Sequence, residues 1–184
     1  MSEEKPYIFK IVMAGDGAVG KTSIVRQYIT HTFQKDYLST LGVQVSTKEI
    51  RYPDLAVVKL IIWDVAGQQI FGSVRPMYYK DASVAVLVYD ITDRATFESI
   101  PKWVKEIHEN EPNASIVLVG NKIDLDYARK VSKGEGEKLA KELNLGGFVE
   151  TSARTGEGIN KLFEIVVILC LKKKIEELKK LAGV

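Results

Sequence analysis

The sequence predicts an α/β fold in one domain, with a mostly parallel six-stranded sheet covered by helices on both faces. Six short apolar runs rich in β-branched residues recur along the chain, and helical patterns separate most of them. One pair of runs is joined by a tight turn instead. The 184 residues suffice for one sizeable core and are few for two ordinary domains, so we expect a single domain over residues 1–184.

The elements follow in order along the chain. The apolar runs predict strands at 7–14, 43–50, 56–63, 83–90, 115–121 and 147–151. Between the second and third, Pro53 and Asp54 suit a turn that joins antiparallel neighbours. Helical patterns at 21–29, 94–109, 132–143 and 159–181 predict crossovers between parallel strands. Because ligands of such sheets bind beyond the carboxyl ends of the strands, we expect functional residues directly after strands.

Composition narrows the class of protein. Hydrophobic residues make up 46% and charged residues 27%, as in ordinary soluble globular proteins, and a net charge of +2 gives no reason to expect nucleic acid as a partner. The single cysteine, Cys170, lies in an apolar helical pattern and is predicted to be buried. The N-terminus lacks a signal-peptide pattern, and no apolar run approaches the roughly 20 residues of a membrane span, so we expect a cytoplasmic protein.

The first strand leads into GDGAVGKTS at 15–23, which fits the phosphate-loop pattern G-x-x-x-x-G-K-[ST]. Such a loop turns successive backbone N–H groups towards phosphate oxygens. We expect Lys21 to reach the β- and γ-phosphates, the Thr22 hydroxyl to bind Mg²⁺, and Gly17 to leave room for the γ-phosphate. The predicted phosphate-binding residues are Gly15, Asp16, Gly17, Ala18, Val19, Gly20, Lys21, Thr22 and Ser23.

Two further segments indicate that the base is guanine. NKID at 121–124 follows the fifth strand, and Asp124 can accept hydrogen bonds from the N1–H and the amino group of guanine. Adenine has an acceptor at N1 and would leave that carboxylate unsatisfied. TSAR at 151–154 follows the sixth strand and offers a backbone N–H to the guanine carbonyl, while the Lys122 stem covers the base. The predicted base-binding residues are Asn121, Lys122, Asp124, Ser152, Ala153 and Arg154.

The segment WDVAGQ at 63–68 follows the third strand and predicts hydrolysis of the nucleotide. Asp64 can hold a water on Mg²⁺, the Gly67 N–H can meet the γ-phosphate, and Gln68 can orient an attacking water. Gln68, Lys21 and Gly67 are therefore the predicted catalytic residues. The residues alone leave two alternatives open: a guanine-nucleotide scaffold that does not hydrolyse GTP, and a phosphate-loop kinase that acts on a small molecule.

These motifs, in this order and at this spacing, make the chain resemble a Ras-superfamily small GTPase, and the Rab branch most, over about residues 7–170. The resemblance implies the P-loop NTPase (G-domain) fold: six mostly parallel strands with one antiparallel edge strand, flanked by five helices. It also implies two switch segments. In switch I, at 33–45, Phe33 would pack at the guanine side, Tyr37 would lie over the phosphates, and Thr40 would be a second hydroxyl ligand of Mg²⁺.

Switch II spans 64–79 in this resemblance. Both segments are ordered with GTP and released after hydrolysis, so the resemblance implies slow GTP hydrolysis that switches partner binding, in trafficking or signalling. The implied partners are a GTPase-activating protein, a nucleotide exchange factor and effectors. Arg75 is expected to be a solvated or effector-facing charge, and the activating protein would supply a residue to the active site. The protein is expected to be a monomer.

The sequence also departs from the Rab pattern. Gln69 and Ile70 stand where a glutamate and an arginine are usual, and Val45 stands where phenylalanine would join Trp63 and Tyr78 in the effector-binding triad. The sequence ends KKLAGV, so we expect no prenyl anchor. The basic helix end at 171–184 carries five lysines, which suit either a solvated helix end or weak peripheral contact with an anionic membrane.

Overall fold

The computed structural model describes residues 5–34, 40, 42–52, 56–66 and 75–182. The described part contains one six-stranded sheet, and every predicted strand is confirmed to within two residues at each end. The strands are β1 (Tyr7–Ala14), β2 (Val43–Tyr52), β3 (Ala56–Val65), β4 (Val84–Asp90), β5 (Ser115–Asn121) and β6 (Gly147–Thr151).

The strands lie in the order β2-β3-β1-β4-β5-β6. β2 is an edge strand and runs antiparallel to β3, from Val43 opposite Val65 to Tyr52 opposite Ala56. All the other neighbouring pairs are parallel, which confirms the predicted sheet. The predicted turn residues Pro53 and Asp54 lie outside the described residues. The carboxyl ends of the five parallel strands therefore meet at one edge of the sheet.

The helices are α1 (Lys21–Thr30), α2 (Arg75–Tyr79), α3 (Arg94–Glu98), α4 (Ile100–Asn110), α5 (Lys133–Glu142) and α6 (Ile159–Ala182), with a 3₁₀ helix at Ile123–Ala128. The described residues thus form six α-helices where five were expected. The single helix expected at 94–109 is divided at Ser99. Pro101 has no N–H to donate to the Phe97 carbonyl, so the helical ladder breaks and starts again at Ser99.

Two apolar layers cover the sheet. Along β1 the side chains of Ile11 and Met13 pack in one layer, and those of Val12 and Ala14 pack in the other, as the two-residue period of a strand requires. Helices α1 and α6 cover the first face, and the remaining helices cover the second. Within the described ranges, no helix is both long enough and apolar enough to cross a membrane.

Candidate functional site

The loop between β1 and α1 is tightly constrained at two glycines. Gly15 has φ of 122°, and a Cβ there would lie 2.2 Å from the Val88 carbonyl oxygen. Gly20 has φ of 101°, and a Cβ there would lie 2.3 Å from Asn121 Nδ2. Both conformations are left-handed and both positions have no room for a side chain, so glycine is required. The loop therefore lies directly against the carboxyl ends of β4 and β5.

The N-terminus of α1 forms one end of the site. Gly20 caps this helix without a side chain, so no side chain competes for the backbone N–H groups of the first turn, which have no acceptor within the helix. Lys21 begins the helix, is 6% exposed, and donates from Nζ to the carbonyls of Gly15 (2.8 Å) and Asp16 (2.7 Å). A buried ammonium next to a helix N-terminus attracts an anion such as a phosphate.

A cavity of about 480 Å³ joins this helix end to the loops after β5 and β6. Its lining residues are Gly17, Ala18, Gly20, Lys21, Thr22, Ser23, Arg26, Phe33, Gln34, Thr40, Asn121, Lys122, Asp124, Leu125, Ala153 and Arg154. The structure thus brings together most of the residues predicted from three separate motifs. Of the other predicted residues, Gly15, Asp16, Val19, Asp64 and Ser152 are not among the lining residues. Tyr37, Gly67 and Gln68 fall outside the described residues.

The far end of the cavity is built around Asp124. Its Oδ1 accepts a hydrogen bond from Ser152 Oγ at 2.7 Å, and Arg154 Nη1 lies 3.8 Å from its Oδ2. These contacts hold the carboxylate, whose side chain is 13% exposed, at the cavity wall. An oriented carboxylate at this position can accept paired N–H donors from a planar ring.

Asn121 ties the three loops together. Its Nδ2 donates to the Val19 carbonyl at 2.9 Å, and its Oδ1 accepts from Thr151 Oγ1 at 3.0 Å and from the Ala153 N–H at 3.2 Å. The Ala153 N–H, predicted to bind the guanine carbonyl, therefore has a protein partner in this structure. A base would compete with Asn121 for that donor.

Lys122 lies at the cavity wall with φ of 74°, and its ammonium pairs with a carboxylate at the end of β4. Nζ lies 2.6 Å from Oδ2 of Asp90, a carboxylate at the end of β4 whose Oδ1 accepts from the N–H and the hydroxyl of Thr92. That the Lys122 stem covers the base stays a prediction. The sequence analysis did not identify Asp90, because the residues around it match no known motif.

Two hydroxyls and a carboxylate meet beside Lys21. Thr22 Oγ1 donates to Asp64 Oδ2 at 2.5 Å and lies 2.8 Å from Thr40 Oγ1, so the Thr40 hydroxyl donates to Thr22. The other carboxylate oxygen, Asp64 Oδ1, is buried and has no hydrogen-bond partner among the described residues. Burial raises the pKa of Asp64, and the hydrogen bond from Thr22 and the charge of Lys21 oppose that rise. An all-oxygen set with an orphaned buried carboxylate oxygen fits a hard divalent cation.

Sequence reasoning missed three residues that line the cavity, namely Arg26, Gln34 and Leu125. Arg26 lies one turn beyond Thr22 on α1, and its Nη1 donates to Gln34 Oε1. Leu125 directly follows Asp124 and presents apolar surface to the cavity. Two signals in the sequence could have predicted them. Arg26 lies four residues after Thr22 and therefore on the same face of the predicted helix, and Leu125 is an apolar residue directly after NKID.

Asp16 occupies the loop as predicted, but its carboxylate binds protein donors. Oδ2 accepts from Ser99 Oγ at 2.6 Å, and Oδ1 accepts from Trp103 Nε1 at 3.0 Å. Trp103 is 5% exposed, so its indole ring is packed in the core. Cys170 is likewise buried as predicted, and burial raises the pKa of its thiol to about 12.

The three residues of the expected triad lie together on the surface. Val45 pairs opposite Trp63 in the β2–β3 register, and the Trp63 and Tyr78 rings are 6.1 Å apart. Lys10 Nζ lies 4.5 Å from the centre of the Trp63 ring. Val45 is 51% exposed, so this face presents apolar area to solvent.

Comparison with known proteins agrees with the geometry. The sequence model that describes the Ras family matches residues 10–172 of this chain. The GTP-binding protein ypt5 of Schizosaccharomyces pombe is 42% identical over 159 residues, which are 85% of this chain and 75% of that protein. The small-molecule kinase and the scaffold without GTP hydrolysis are therefore set aside. The chain belongs to the Ras family as a Rab-like small GTPase, a protein that binds guanine nucleotide and hydrolyses GTP.

Proposed function

We propose that the cavity between α1 and the loops after β5 and β6 binds GTP and GDP. The observation that carries this proposal is the placement of Lys21 and Asp124 in one cavity of about 480 Å³. The N-terminus of α1, which has no side-chain cap, would attract the phosphates, and the carboxylate at the other end would distinguish guanine from adenine. Phe33 lines the same cavity and contributes apolar area beside the nucleotide.

Mg²⁺ is proposed to bind beside Thr22, Thr40 and Asp64. The hydroxyl oxygens of Thr22 and Thr40 would be direct ligands, and Asp64 would act through a bound water. The support is the orphaned Oδ1 of Asp64 and the cluster of oxygen atoms around it. When bound, Mg²⁺ neutralises negative charge on the β- and γ-phosphate oxygens. Because Thr40 belongs to switch I, its contact with Thr22 would link that segment to the phosphate end of the site.

Hydrolysis is proposed to use Gln68, Gly67 and Lys21. Gln68 would orient the attacking water, the Gly67 N–H would donate to the γ-phosphate, and Lys21 would hold the phosphates in line. The roles of Gly67 and Gln68 stay predictions, because both residues lie outside the described part of the chain. The support for Lys21 is its burial at the start of α1.

Partner proteins are proposed to bind through the two switch segments. The exposed face formed by Val45, Trp63 and Tyr78 adjoins α2, which lies at the end of switch II. We propose that effectors cover this face, and that an activating protein and an exchange factor act on the same segments. The protein would act as a cytoplasmic monomer in trafficking or signalling, and no nucleic-acid partner is proposed.

A weak peripheral contact with anionic membrane is proposed for the end of α6. Ile168, Ile175, Leu178 and Leu181 are all exposed and follow one another at helical spacing. Lysines accompany them at 172–174 and 179–180, and each is worth about 1 kcal/mol near an anionic surface. Sedimentation with phosphatidylserine vesicles should fall on Leu178→Asp, and equal sedimentation with phosphatidylcholine vesicles would contradict the proposal.

The nucleotide is tested first by denaturing freshly purified protein and identifying the released ligand by chromatography and mass. GDP or GTP near one equivalent is the expected result. Release of ATP or ADP, or no binding of added GTP in Mg²⁺, would overturn the assignment of Asp124 to guanine.

The base contact is tested separately with Asp124→Asn. The amide puts an N–H donor against the donors of guanine, so GDP affinity should fall about 100-fold or more. Xanthine carries a carbonyl where guanine has its amino group, and this carbonyl can accept from the new amide N–H. The affinity of the variant for xanthosine diphosphate should therefore rise. Asp126→Asn is the matched control, because Asp126 is 73% exposed, pairs with Arg129, and does not line the cavity. Equal GDP affinity of the two variants would contradict the role of Asp124.

A further inference from the structure

One carboxylate of the phosphate loop belongs to a contact that nucleotide binding does not explain. Asp16 lies between two residues of the loop pattern, yet both oxygens of its side chain accept hydrogen bonds from the start of α4. Ser99 is the residue that precedes α4, and Trp103 lies one turn into the helix. The loop is thereby fastened to a helix that is remote from it in sequence.

The helix is a firm support for the loop. Ile100, Trp103, Val104 and Ile107 are all buried on one face of α4 and pack against the sheet. The Asp16 carboxylate lies at the N-terminal end of α4, where the helix dipole favours negative charge. Hydrogen bonds to an ionised acceptor are stronger than those between neutral groups. Together these features keep the Asp16 side chain in one position relative to the sheet.

The same residue holds Lys21 through its main chain. The Asp16 carbonyl accepts from Lys21 Nζ at 2.7 Å, next to the Gly15 carbonyl at 2.8 Å. Because the carboxylate is fixed by α4, the peptide that carries this carbonyl is fixed as well. The direction of the Lys21 side chain thus depends on contacts made on the other side of the loop.

We propose that Asp16 is a positioning residue, whose carboxylate anchors the phosphate loop to Ser99 and Trp103 and so sets the position of Lys21 at the phosphates. This inference rests on the proposed nucleotide site. Loosening the anchor allows Lys21 and the loop N–H groups to move away from the phosphates. Nucleotide then leaves faster and is hydrolysed more slowly, while the fold remains.

The test measures the rate of GDP dissociation and the single-turnover rate of GTP hydrolysis. Trp103→Phe keeps an aromatic side chain but removes the N–H donor together with one ring of the indole, and Ser99→Ala removes the other donor. Each should speed GDP dissociation several-fold, and Asp16→Ala should speed it about tenfold. Ser99→Thr keeps the hydroxyl, so its rate of GDP dissociation should equal that of the parent protein.

A double-variant cycle separates positioning from general destabilisation. In the Asp16→Ala background, Trp103→Phe should add nothing to the dissociation rate, because its hydrogen-bond acceptor is already gone. An equal acceleration by Trp103→Phe in both backgrounds, or an unchanged rate in Asp16→Ala, would overturn the proposal. Thermal unfolding of each variant in excess GDP verifies that the measured protein is folded.

Failure of the nucleotide site itself has a different signature. If the parent protein does not bind GDP, or if Lys21→Ala binds GDP as tightly as the parent, the proposed site is wrong and not the anchor. If the parent binds GDP and Lys21→Ala loses it, a constant dissociation rate in the anchor variants refutes the positioning role alone.

Discussion

A single buried oxygen atom, Asp64 Oδ1, gives the sharpest chemical expectation at the scale of residues. It has no hydrogen-bond partner among the described residues, and burial raises the pKa of its carboxyl group. A cation held through a bound water would satisfy this oxygen and offset the cost of burying the charge. The unpartnered oxygen of this carboxylate is therefore suited to the proposed Mg²⁺ site.

Asp64→Asn should weaken the dependence of nucleotide binding on Mg²⁺. In the parent protein, chelation of Mg²⁺ by EDTA should speed GDP dissociation strongly, because the cation links the phosphates to the protein. In the variant the acceleration by EDTA should be at least several-fold smaller, since the carboxylate that supports the cation is gone. Dissociation of a fluorescent GDP analogue, with Asp126→Asn as the control, measures both rates. An identical EDTA effect in parent and variant would show that Asp64 does not act at the metal.

Gln68→Leu tests the predicted water-positioning residue. Hydrolysis should slow by about tenfold and nucleotide affinity should stay nearly unchanged, because the side chain is proposed to orient the water and not to hold the nucleotide. Single-turnover phosphate release compared with GTP affinity separates these two effects. Equal hydrolysis rates in parent and variant would remove Gln68 from the mechanism.

The sequence predicted those site residues whose chemistry fixes both residue type and spacing. Lys21, Thr22 and Asp124 were predicted because phosphate, metal and guanine each require a specific functional group in a defined loop, and the structure places all three around one cavity. Their roles at the ligand stay predictions. The role of the Asp16 side chain was not predictable, because its partners Ser99 and Trp103 lie more than 80 positions away. Contacts of that kind depend on how a helix packs on the sheet, and spacing within one motif carries no information about them.

At the scale of elements, the start of α5 shows how a local contact sets a pH dependence. Ser132 caps the helix, and Glu135 accepts from the Ser132 N–H and hydroxyl, both at 2.8 Å. These hydrogen bonds, together with Arg94, lower the pKa of Glu135 from 4.5 to about 2. The pKa is lower in the folded state, so the stabilisation is complete above pH 4.5 and is lost as the pH falls towards 2.

Glu135→Gln should remove this part of the pH dependence. Well above pH 4.5 the variant should unfold at a lower temperature than the parent, and the difference should shrink as the pH is lowered through that value. Thermal unfolding followed by circular dichroism over this range measures the difference. Glu137→Gln on the same helix lies outside the capping box and is the control. A difference between parent and Glu135→Gln that does not change with pH would contradict the assignment.

The division between α3 and α4 shows why element boundaries were harder to predict than strands. The apolar and helical pattern continues through 94–109, and only Pro101 signals a break. Proline is accepted in the first turn of a helix, so its presence fits a new helix start as well as a kink. Strands β4 and β5 carry uninterrupted apolar runs, and their bounds were therefore predicted closely.

At the scale of the whole molecule, the site exists only because the sheet is assembled. The cavity is lined by loops that follow β1, β5 and β6, which span residues 17–154. The sequence predicted this convergence, because parallel strands place their carboxyl ends at one edge. It did not predict how Asn121 joins the loops, since those hydrogen bonds depend on the final distance between β5, β6 and the start of α1.

Because the loops meet only in the folded sheet, a ligand of the cavity should stabilise the entire domain. Free GDP with Mg²⁺ at 100 times its dissociation constant should add about 2.7 kcal/mol to the free energy of unfolding. For a domain of this size, that corresponds to a rise in the unfolding temperature of about 5–10 °C. ADP at the same concentration should produce no rise, because Asp124 would face an acceptor at N1 of adenine. Calorimetric scans of parent and Asp124→Asn with each nucleotide make the comparison. An equal rise of the unfolding temperature with ADP and with GDP would mean that the cavity binds phosphates without distinguishing the base. A rise that occurs only with GDP and is lost in Asp124→Asn would show that the guanine contact contributes to the stability of the whole sheet.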